Sequence, residues 1–463
     1  MAVVPLKPNE MIQKKIFLLI IVITTVSVLV HHGNLVSWTM DAFYFGCSSF
    51  PSHPVLDQKP KHTNVAFLKT HKTASSTMQN LFFRFAERHN LTVALPIQSC
   101  SHQFCYPNSF NTHFVHPHTI PPNIIASHMR FNIKELRRLM PNDTIYITIL
   151  REPSFMFESA FNYYFNYCHS FRRVPNRSLE AFLADPWRYY QPDEKDSMIA
   201  RNNLAFDFGK DKDHPATDVK FVQDYLAEVE QTFSLVMIAD YFDESLVVLR
   251  HLLSWDLDDI LYLKLNMRKE DSKQKLTPDL VSKIRAWNAL DTYLYDYFNA
   301  SLWHQIAALG LGCVAKEIRE LRQAQERLMR SCFNGQVQLR SSMQIKNKNL
   351  RPWQPRGTVD IMGYDLPGNI SHGLSSHAQE LCLKLVIPEI RYSRLLLHSQ
   401  SMRYYHRHQL RTTQQTATVQ KVRSLQVKHV ELPPDPTAPT AQKGSTPQKM
   451  HDETQSRNPN LTT

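Results

Sequence analysis

Glycine is scarce in this chain, with 11 in 463 residues against 27 prolines. That disfavours folds that hold nucleotides on glycine hinges. The usual P-loop signature, which sets two glycines before its lysine, is absent. No DNA- or RNA-binding motif occurs, so the net charge of +11 points toward membrane surfaces or anionic small molecules, and nucleic acid is not expected as a partner. Zinc spacing is incomplete: Cys100 and Cys105 flank His102, but no second pair follows. A disulfide or free thiols are therefore expected there, and no metal is. There is no internal repeat.

Long apolar runs are missing too, with one exception. Ile16–Val30 is fifteen residues without a charge, and His31–Val36 can extend it. Lys7, Lys14 and Lys15 precede it, and the next charge is Asp41. A span needs about 20 residues, and the positive-inside rule puts the N-terminus in the cytosol. No small-residue cleavage site follows the run, which argues for a retained anchor over a cleaved signal peptide. The expected order is a cytosolic tail (1–15), a single transmembrane signal-anchor (16–36), a lumenal stem (37–60), a catalytic domain (61–406) and a low-complexity, disordered tail (407–463).

Two features fit that topology. Asn-x-Ser/Thr sequons occur at Asn90, Asn142, Asn176, Asn299, Asn369 and Asn460, all on the lumenal side. All seven cysteines lie there as well, where thiols are oxidised. Seven is odd, and Cys47 in the stem is the expected leftover. Cys313 and Cys332 flank an expected helix, Ala315–Arg330, and about 27 Å of helix would keep them from bonding each other.

With 43% hydrophobic residues the chain can bury a sizeable core. Val65–Leu68, Thr144–Leu150 and Phe233–Ile238 read as strands. Helical patterns lie between them at Ile133–Met140, Pro153–Tyr167, Val219–Gln231 and Asp243–Leu253. This alternation predicts an α/β fold, a parallel sheet flanked by helices. Beyond residue 280 the patterns are helical: Val281–Ala300, Ala315–Arg330 and Ser375–Ser399.

Ligands of such sheets bind beyond the carboxyl ends of the strands. After the first strand, Lys69-Thr70-His71-Lys72-Thr73-Ala74-Ser75-Ser76-Thr77 supplies two lysines, a histidine and five hydroxyls before a helix that opens near Met78. A helix start with such neighbours binds anions; the alternative is a capped helix with two solvated lysines. After the second strand, Arg151 offers a planar fork for a phosphate, and Ser159 follows two turns into the next helix. Two separated anion sites suit a ligand with two distant phosphate groups. Among the aromatics, Phe161, Tyr163, Tyr164, Phe165 and Tyr167 sit at helical spacing, as core residues or as platforms for sugar rings.

The stretch Phe67–Thr77, with its Lys-Thr-Ala-Ser-Ser form, resembles the 5′-phosphosulfate loop of Golgi carbohydrate sulfotransferases, in the version of the galactose-3-O-sulfotransferase family. Ile149–Pro153 with Ser159 is similar to that family's 3′-phosphate site, and Leu235–Leu246 resembles the same branch. The resemblance runs from about residue 61 to about 330. It implies a P-loop-kinase-like sulfotransferase fold and a single-pass type II Golgi membrane protein. The donor would be 3′-phosphoadenosine-5′-phosphosulfate, used without a metal, and the acceptor the 3-hydroxyl of a terminal β-galactose on a glycolipid or glycoprotein. A homodimer is compatible with it. The resemblance assigns donor binding to Lys72, Thr73, Ala74, Ser75, Ser76, Thr77, Arg151 and Ser159; Lys69, in the same turn, is a further donor-binding candidate without a motif match of its own. Lys72 would neutralise the leaving group. Ile124–Phe131 is similar to the segment that supplies the base in uronyl 2-O-sulfotransferases, which implies His128 as base, with His71, Glu158 and Asp240 as rivals. Other readings are transfer to another sugar position, a kinase on the same fold, and a galactoside-binding lectin.

Overall fold

A computed structural model describes residues 59–355, 360–367 and 375–428. The expected anchor, the stem up to residue 58, Cys47, Asn369, Asn460 and the tail beyond 428 lie outside the described residues. Among the described residues no helix is long and apolar enough to cross a membrane.

The centre is a parallel five-stranded sheet in the order β2-β3-β1-β4-β5. Its strands are β1 (Val65–Leu68), β2 (Val93–Ala94), β3 (Ile124–Ile125), β4 (Ile145–Leu150) and β5 (Leu235–Ile238). β1 is buried along its whole length, as continuous apolar runs in parallel sheets are. It pairs with β3 through Val65↔Ile124 and with β4 through Val65↔Ile145 to Leu68↔Thr148. The chain moves from β1 to the β2/β3 side, then crosses to β4 and β5. The order therefore reverses at β1, and the crevice at such a reversal is where ligands settle.

The helices that follow these strands are α1 (Ser75–Arg88), α2 (Ile133–Leu139), α3 (Pro153–Tyr164), α4 (Val219–Thr232) and α5 (Phe242–Leu253). α1 presents Met78, Leu81, Phe82 and Phe85 to the core. Phe82 meets Phe67 of β1 with ring centres 5.1 Å apart, and Phe85 stacks on Trp255 at 3.7 Å. α3 opens with Pro153, and the Glu152 carboxylate accepts from the N–H groups of Ser154 and Phe155, a complete N-cap. Of the aromatic run on and after α3, Phe161 and Phe165 enter a second core cluster with Phe157, Phe171 and Phe182, while Tyr167 is exposed.

Two expected helices are broken. Val281–Ala300 divides into α6 (Pro278–Trp287) and α7 (Ala289–Leu309). The corner is Asn288, buried, whose Nδ2 donates to Ile284 O and whose Oδ1 accepts from Asn202 N. α8 (Leu311–Phe333) follows. Ser375–Ser399 divides into α9 (Ser376–Val386) and α10 (Glu389–Lys428), because Pro388 keeps Ile387 extended, at ψ 124°. α10 continues past residue 407, so 407–428 is helical where the composition predicts disorder. A small antiparallel sheet, β6-β8-β7, has no counterpart in the sequence reading. It joins β6 (Met267–Arg268), β7 (Gln338–Ser341) and β8 (Ile361–Asp365). Gly363 in β8 packs closely: a Cβ there would lie 2.6 Å from Ile345 Cδ1 and 3.0 Å from Pro352 Cδ, so a side chain would have to displace them.

The disulfides are Cys100–Cys105 and Cys332–Cys382, and Cys313 is disulfide-bonded as well. Cys100 and Cys105 thus have no thiolates for zinc. α8 is one unbroken helix, so Cys313 and Cys332 are apart, as its length requires. The free thiol among the described cysteines is Cys168, buried, and burial pushes it up to about 12; the stem cysteine expected as the leftover lies outside the described residues. Asn90, Asn142 and Asn176 are exposed. Asn299 lies mid-way along α7 with its Oδ1 buried and unpartnered.

Candidate active site

Three strand ends meet at the crevice: β1 runs into Lys69, β3 into His128 and β4 into Arg151. The turn after β1 has no glycine, so ordinary residues take its left-handed positions, Lys72 at φ 61° and Ala74 at φ 62°. Each such residue costs about 1–2 kcal/mol. Ala74 is the N-cap of α1 but offers no capping side chain, and no acid stands in the first turn. The helix start is therefore open to an anion.

Most hydroxyls of the turn build the turn itself. Thr73 Oγ1 lies 2.8 Å from Thr70 Oγ1, Ser75 Oγ donates to Thr70 O at 2.6 Å, and Thr77 Oγ1 accepts from Leu265 N at 3.0 Å. These hydrogen bonds stay within the protein, and the backbone N–H groups of the turn remain beside them at the start of α1. Ser76 is the hydroxyl at the crevice, donating to Glu389 Oε2 at 2.7 Å and accepting from Asn266 Nδ2 at 3.0 Å.

On the β4 side the cations outnumber their partners. Lys72 and Arg151 form no ion pair among the described residues, and Arg151 Nη1 donates to Lys72 O at 3.3 Å. Burial, then the charges of Arg268, Arg151 and Lys69, push the Lys72 amine down to about 7. Its Nζ sits 3.5 Å above the Tyr163 ring, a cation–π contact. Arg268, on β6, is fully paired with Glu158 and buried with it. Glu158 also accepts from Asn162 and Gln274 N, so it has no capacity left for a base. Asp240 accepts from Glu152 N at 2.9 Å and from the Tyr295 hydroxyl. Ser159 is buried on α3, next to Glu158.

On the β3 side two histidines stack, with ring centres 4.1 Å apart. His128 Nδ1–H donates to Lys69 O at 2.8 Å, and its Nε2 accepts from Lys69 Nζ at 2.8 Å. That fixes a neutral tautomer with the Nε2 lone pair directed at the ammonium. Burial, then the charges of Lys69 and His71, hold His128 well below the usual histidine range. Lys69 is also paired with Glu389 at 3.1 Å. His71 Nδ1–H donates to Asp207, whose oxygens lie 3.0 Å away and also accept from His71 N and the Tyr106 hydroxyl. Asp207 ends a short helix whose first N–H groups are capped by Asp291 of α7.

The structure thus gathers Lys69, Lys72, Ser76, His128 and Arg151. Asp207, Glu389 and Arg268 were not found from sequence, and nothing local marks them: Glu389 lies 313 residues from Ser76. Among the described residues no group of three or more His, Cys, Asp or Glu could hold a metal ion.

The family model described as Galactose-3-O-sulfotransferase matches residues 3–400. The chain is 54% identical over 395 residues to Galactose-3-O-sulfotransferase 3 of Homo sapiens, covering 85% of this chain and 90% of that protein. It is 42% identical over 357 residues to Galactose-3-O-sulfotransferase 2 of Mus musculus, covering 75% and 87%. It is 41% identical over 332 residues to Galactosylceramide sulfotransferase of Homo sapiens, covering 71% and 77%.

Proposed function

Since the chain belongs to the galactose-3-O-sulfotransferase family, we propose that it moves a sulfuryl group from 3′-phosphoadenosine-5′-phosphosulfate to the 3-hydroxyl of a terminal β-galactose on a glycoprotein or glycolipid. One observation carries the donor: Lys72 and Arg151, at adjacent strand ends, are cations without carboxylate partners among the described residues. Cations withdrawn from water need a counter-charge, and a donor with phosphate groups at both ends supplies it. Lys72 and the open start of α1 take the 5′-phosphosulfate, and Arg151 with α3 takes the 3′-phosphate.

The reaction is an in-line displacement. The galactose oxygen attacks sulfur, and the bond from sulfur to the 5′-phosphate oxygen breaks. The electron pair leaves on adenosine 3′,5′-bisphosphate, where Lys72 offsets the new charge. The hydroxyl proton goes to His128 Nε2, which becomes available once Lys69 turns from it toward the incoming anion. Its tautomer is already the accepting one. The Asp207–His71 pair favours a second reading of the base, with Asp207 orienting His71 as a carboxylate orients the histidine of a catalytic triad.

The exposed sequons Asn90, Asn142 and Asn176, together with the disulfides, support placing the enzyme in the Golgi lumen as a type II membrane protein. The function is tested by retention on immobilised adenosine 3′,5′-bisphosphate but not on ATP, followed by radiolabelled sulfate transfer to β-galactosides. Retention on ATP alone would sink the donor assignment in favour of a kinase.

A further inference from the structure

Beside His128 lies a small cleft lined by Lys69, Gln79, His102, His128, Glu389 and Ser393. These residues come from distant parts of the chain. Gln79 is on α1, one turn beyond the donor turn. His102 rides on the loop closed by the Cys100–Cys105 disulfide. Glu389 and Ser393 are one turn apart on α10.

Gln79 is the informative member. It is 3% exposed. Its Nε2 donates to Ser127 Oγ at 3.2 Å, whereas its Oε1 is buried with no hydrogen-bond partner. A buried acceptor left unmade costs about 1–3 kcal/mol, so an orphan here calls for a donor brought from outside. Glu389 adds a carboxylate that stays ionised: burial pushes its carboxyl up, but the charge of Lys69 and the hydrogen bond from Ser76 more than offset this. Its partner Lys69 is the group that an anionic donor draws away, which returns acceptor capacity to Glu389. The cleft then presents two acceptors, Gln79 Oε1 and the Glu389 carboxylate, around the His128 imidazole. A phosphate or sulfate would be repelled by them. A polyol edge, which is a row of O–H donors, would be held.

We propose that this cleft is the acceptor subsite, in which Gln79 Oε1 and Glu389 accept hydrogen bonds from ring hydroxyls of the terminal galactose beside the one that is sulfated. This rests on the sulfate-transfer reading above. Both residues bind the sugar directly and set which hexose is accepted, since a site built to pair a hydroxyl rejects sugars that lack it or turn it away.

The test is a cycle between protein and substrate. Transfer is measured for wild type, Gln79→Met and Glu389→Gln with a β-galactoside and its 2-, 4- and 6-deoxy analogues, and adenosine 3′,5′-bisphosphate binding is measured in parallel. The expected result is an acceptor KM raised about tenfold by Gln79→Met, the loss of one net hydrogen bond, with bisphosphate affinity within about twofold of wild type. One deoxy analogue that is about tenfold poorer for wild type should be no poorer for the variant than the full sugar is. Glu389→Gln, on a different element, carries the same cycle with its own hydroxyl should Gln79→Met not fold. Losses that simply multiply for every analogue in both variants overturn the subsite, as does a drop in bisphosphate affinity with acceptor KM unchanged. Wild type that binds the bisphosphate but sulfates no galactoside overturns the sulfate-transfer reading, and the subsite with it. The two failures are thus distinct.

Discussion

The two flanks of β1 are built on opposite electrostatic plans. Toward β4, Lys72 and Arg151 have no carboxylate partner among the described residues, and burial, then neighbouring positive charges, push Lys72 down to about 7. Toward β3, the groups nearest the reacting position are matched: Lys69 with Glu389 and His128, and His71 with Asp207. An incomplete set of charges awaits an anion, whereas a complete set fixes where protons sit. The first plan suits binding a doubly anionic donor, and the second suits moving one proton from a neutral sugar.

The sharpest way to break this contrast is His128→Ala. Loss of a positioned base costs about 10²–10⁴-fold, so kcat should collapse by that order while adenosine 3′,5′-bisphosphate still binds. Near-normal turnover would hand the base to His71, and His71→Ala should then show the collapse. Next comes Lys72→Ala. Loss of one charge that stabilises the leaving group costs about 10²–10³-fold, and here bisphosphate affinity should fall as well. If Lys72→Ala weakened only acceptor binding, the two flanks would have to exchange roles.

What the sequence disclosed follows the same division. Lys69 and Arg151 follow an apolar run directly, and Lys72 and His128 stand within a few residues of one, so strand and ligand-binding end are read together. The pairing that makes the β3 flank work was hidden. Asp207 reaches His71 across 136 residues, and Glu389 reaches Lys69 from α10. Only the fold brings them together, and neither stands in a pattern. The small sheet was missed for a related reason: β6 has two residues, and the other two strands come some 70 and 95 residues later, too short and too scattered to show a period. Asn288 and Pro388 broke helices that apolar spacing alone would continue. The donor turn is legible in part: its hydroxyls stand out in the sequence, whereas the bonds that Thr73, Ser75 and Thr77 make within the protein do not.

Lys72 also gives the contrast a pH signature. Its folded value, about 7, lies below the ordinary lysine value because burial and like charges disfavour the ammonium. A bound anion reverses that and raises it. Below pH 6 Lys72 is charged with or without donor, and binding moves no proton. Above 7 it is neutral in the free enzyme, and binding takes a proton up. Bisphosphate affinity should therefore fall as pH rises through 7, by at most about tenfold per pH unit. Calorimetry in buffers of different ionisation enthalpy should show proton uptake at pH 8 that Lys72→Met abolishes. A flat affinity from pH 6 to 9 would mean that Lys72 is already charged without the donor.

The smallest effect probes how the turn is held. Ala74, at φ 62°, adopts a conformation that costs an L-residue about 1–2 kcal/mol and glycine nothing. Ala74→Gly removes that strain but frees the unfolded chain, which costs about 0.4–1 kcal/mol. The difference leaves the variant unchanged to about 1.6 kcal/mol more stable. Its exposed methyl makes no hydrogen bond, and Lys72 keeps its own left-handed geometry. Transfer should therefore stay within about threefold of wild type, and the melting temperature should hold or rise by a few degrees. A loss of several degrees would show that the methyl, not the backbone, secures the start of α1. A large loss of donor affinity at unchanged stability would show instead that the rigidity of Ala74 keeps the N–H groups of the turn aimed at the anion. The missing glycines would then be part of how the β4 flank binds.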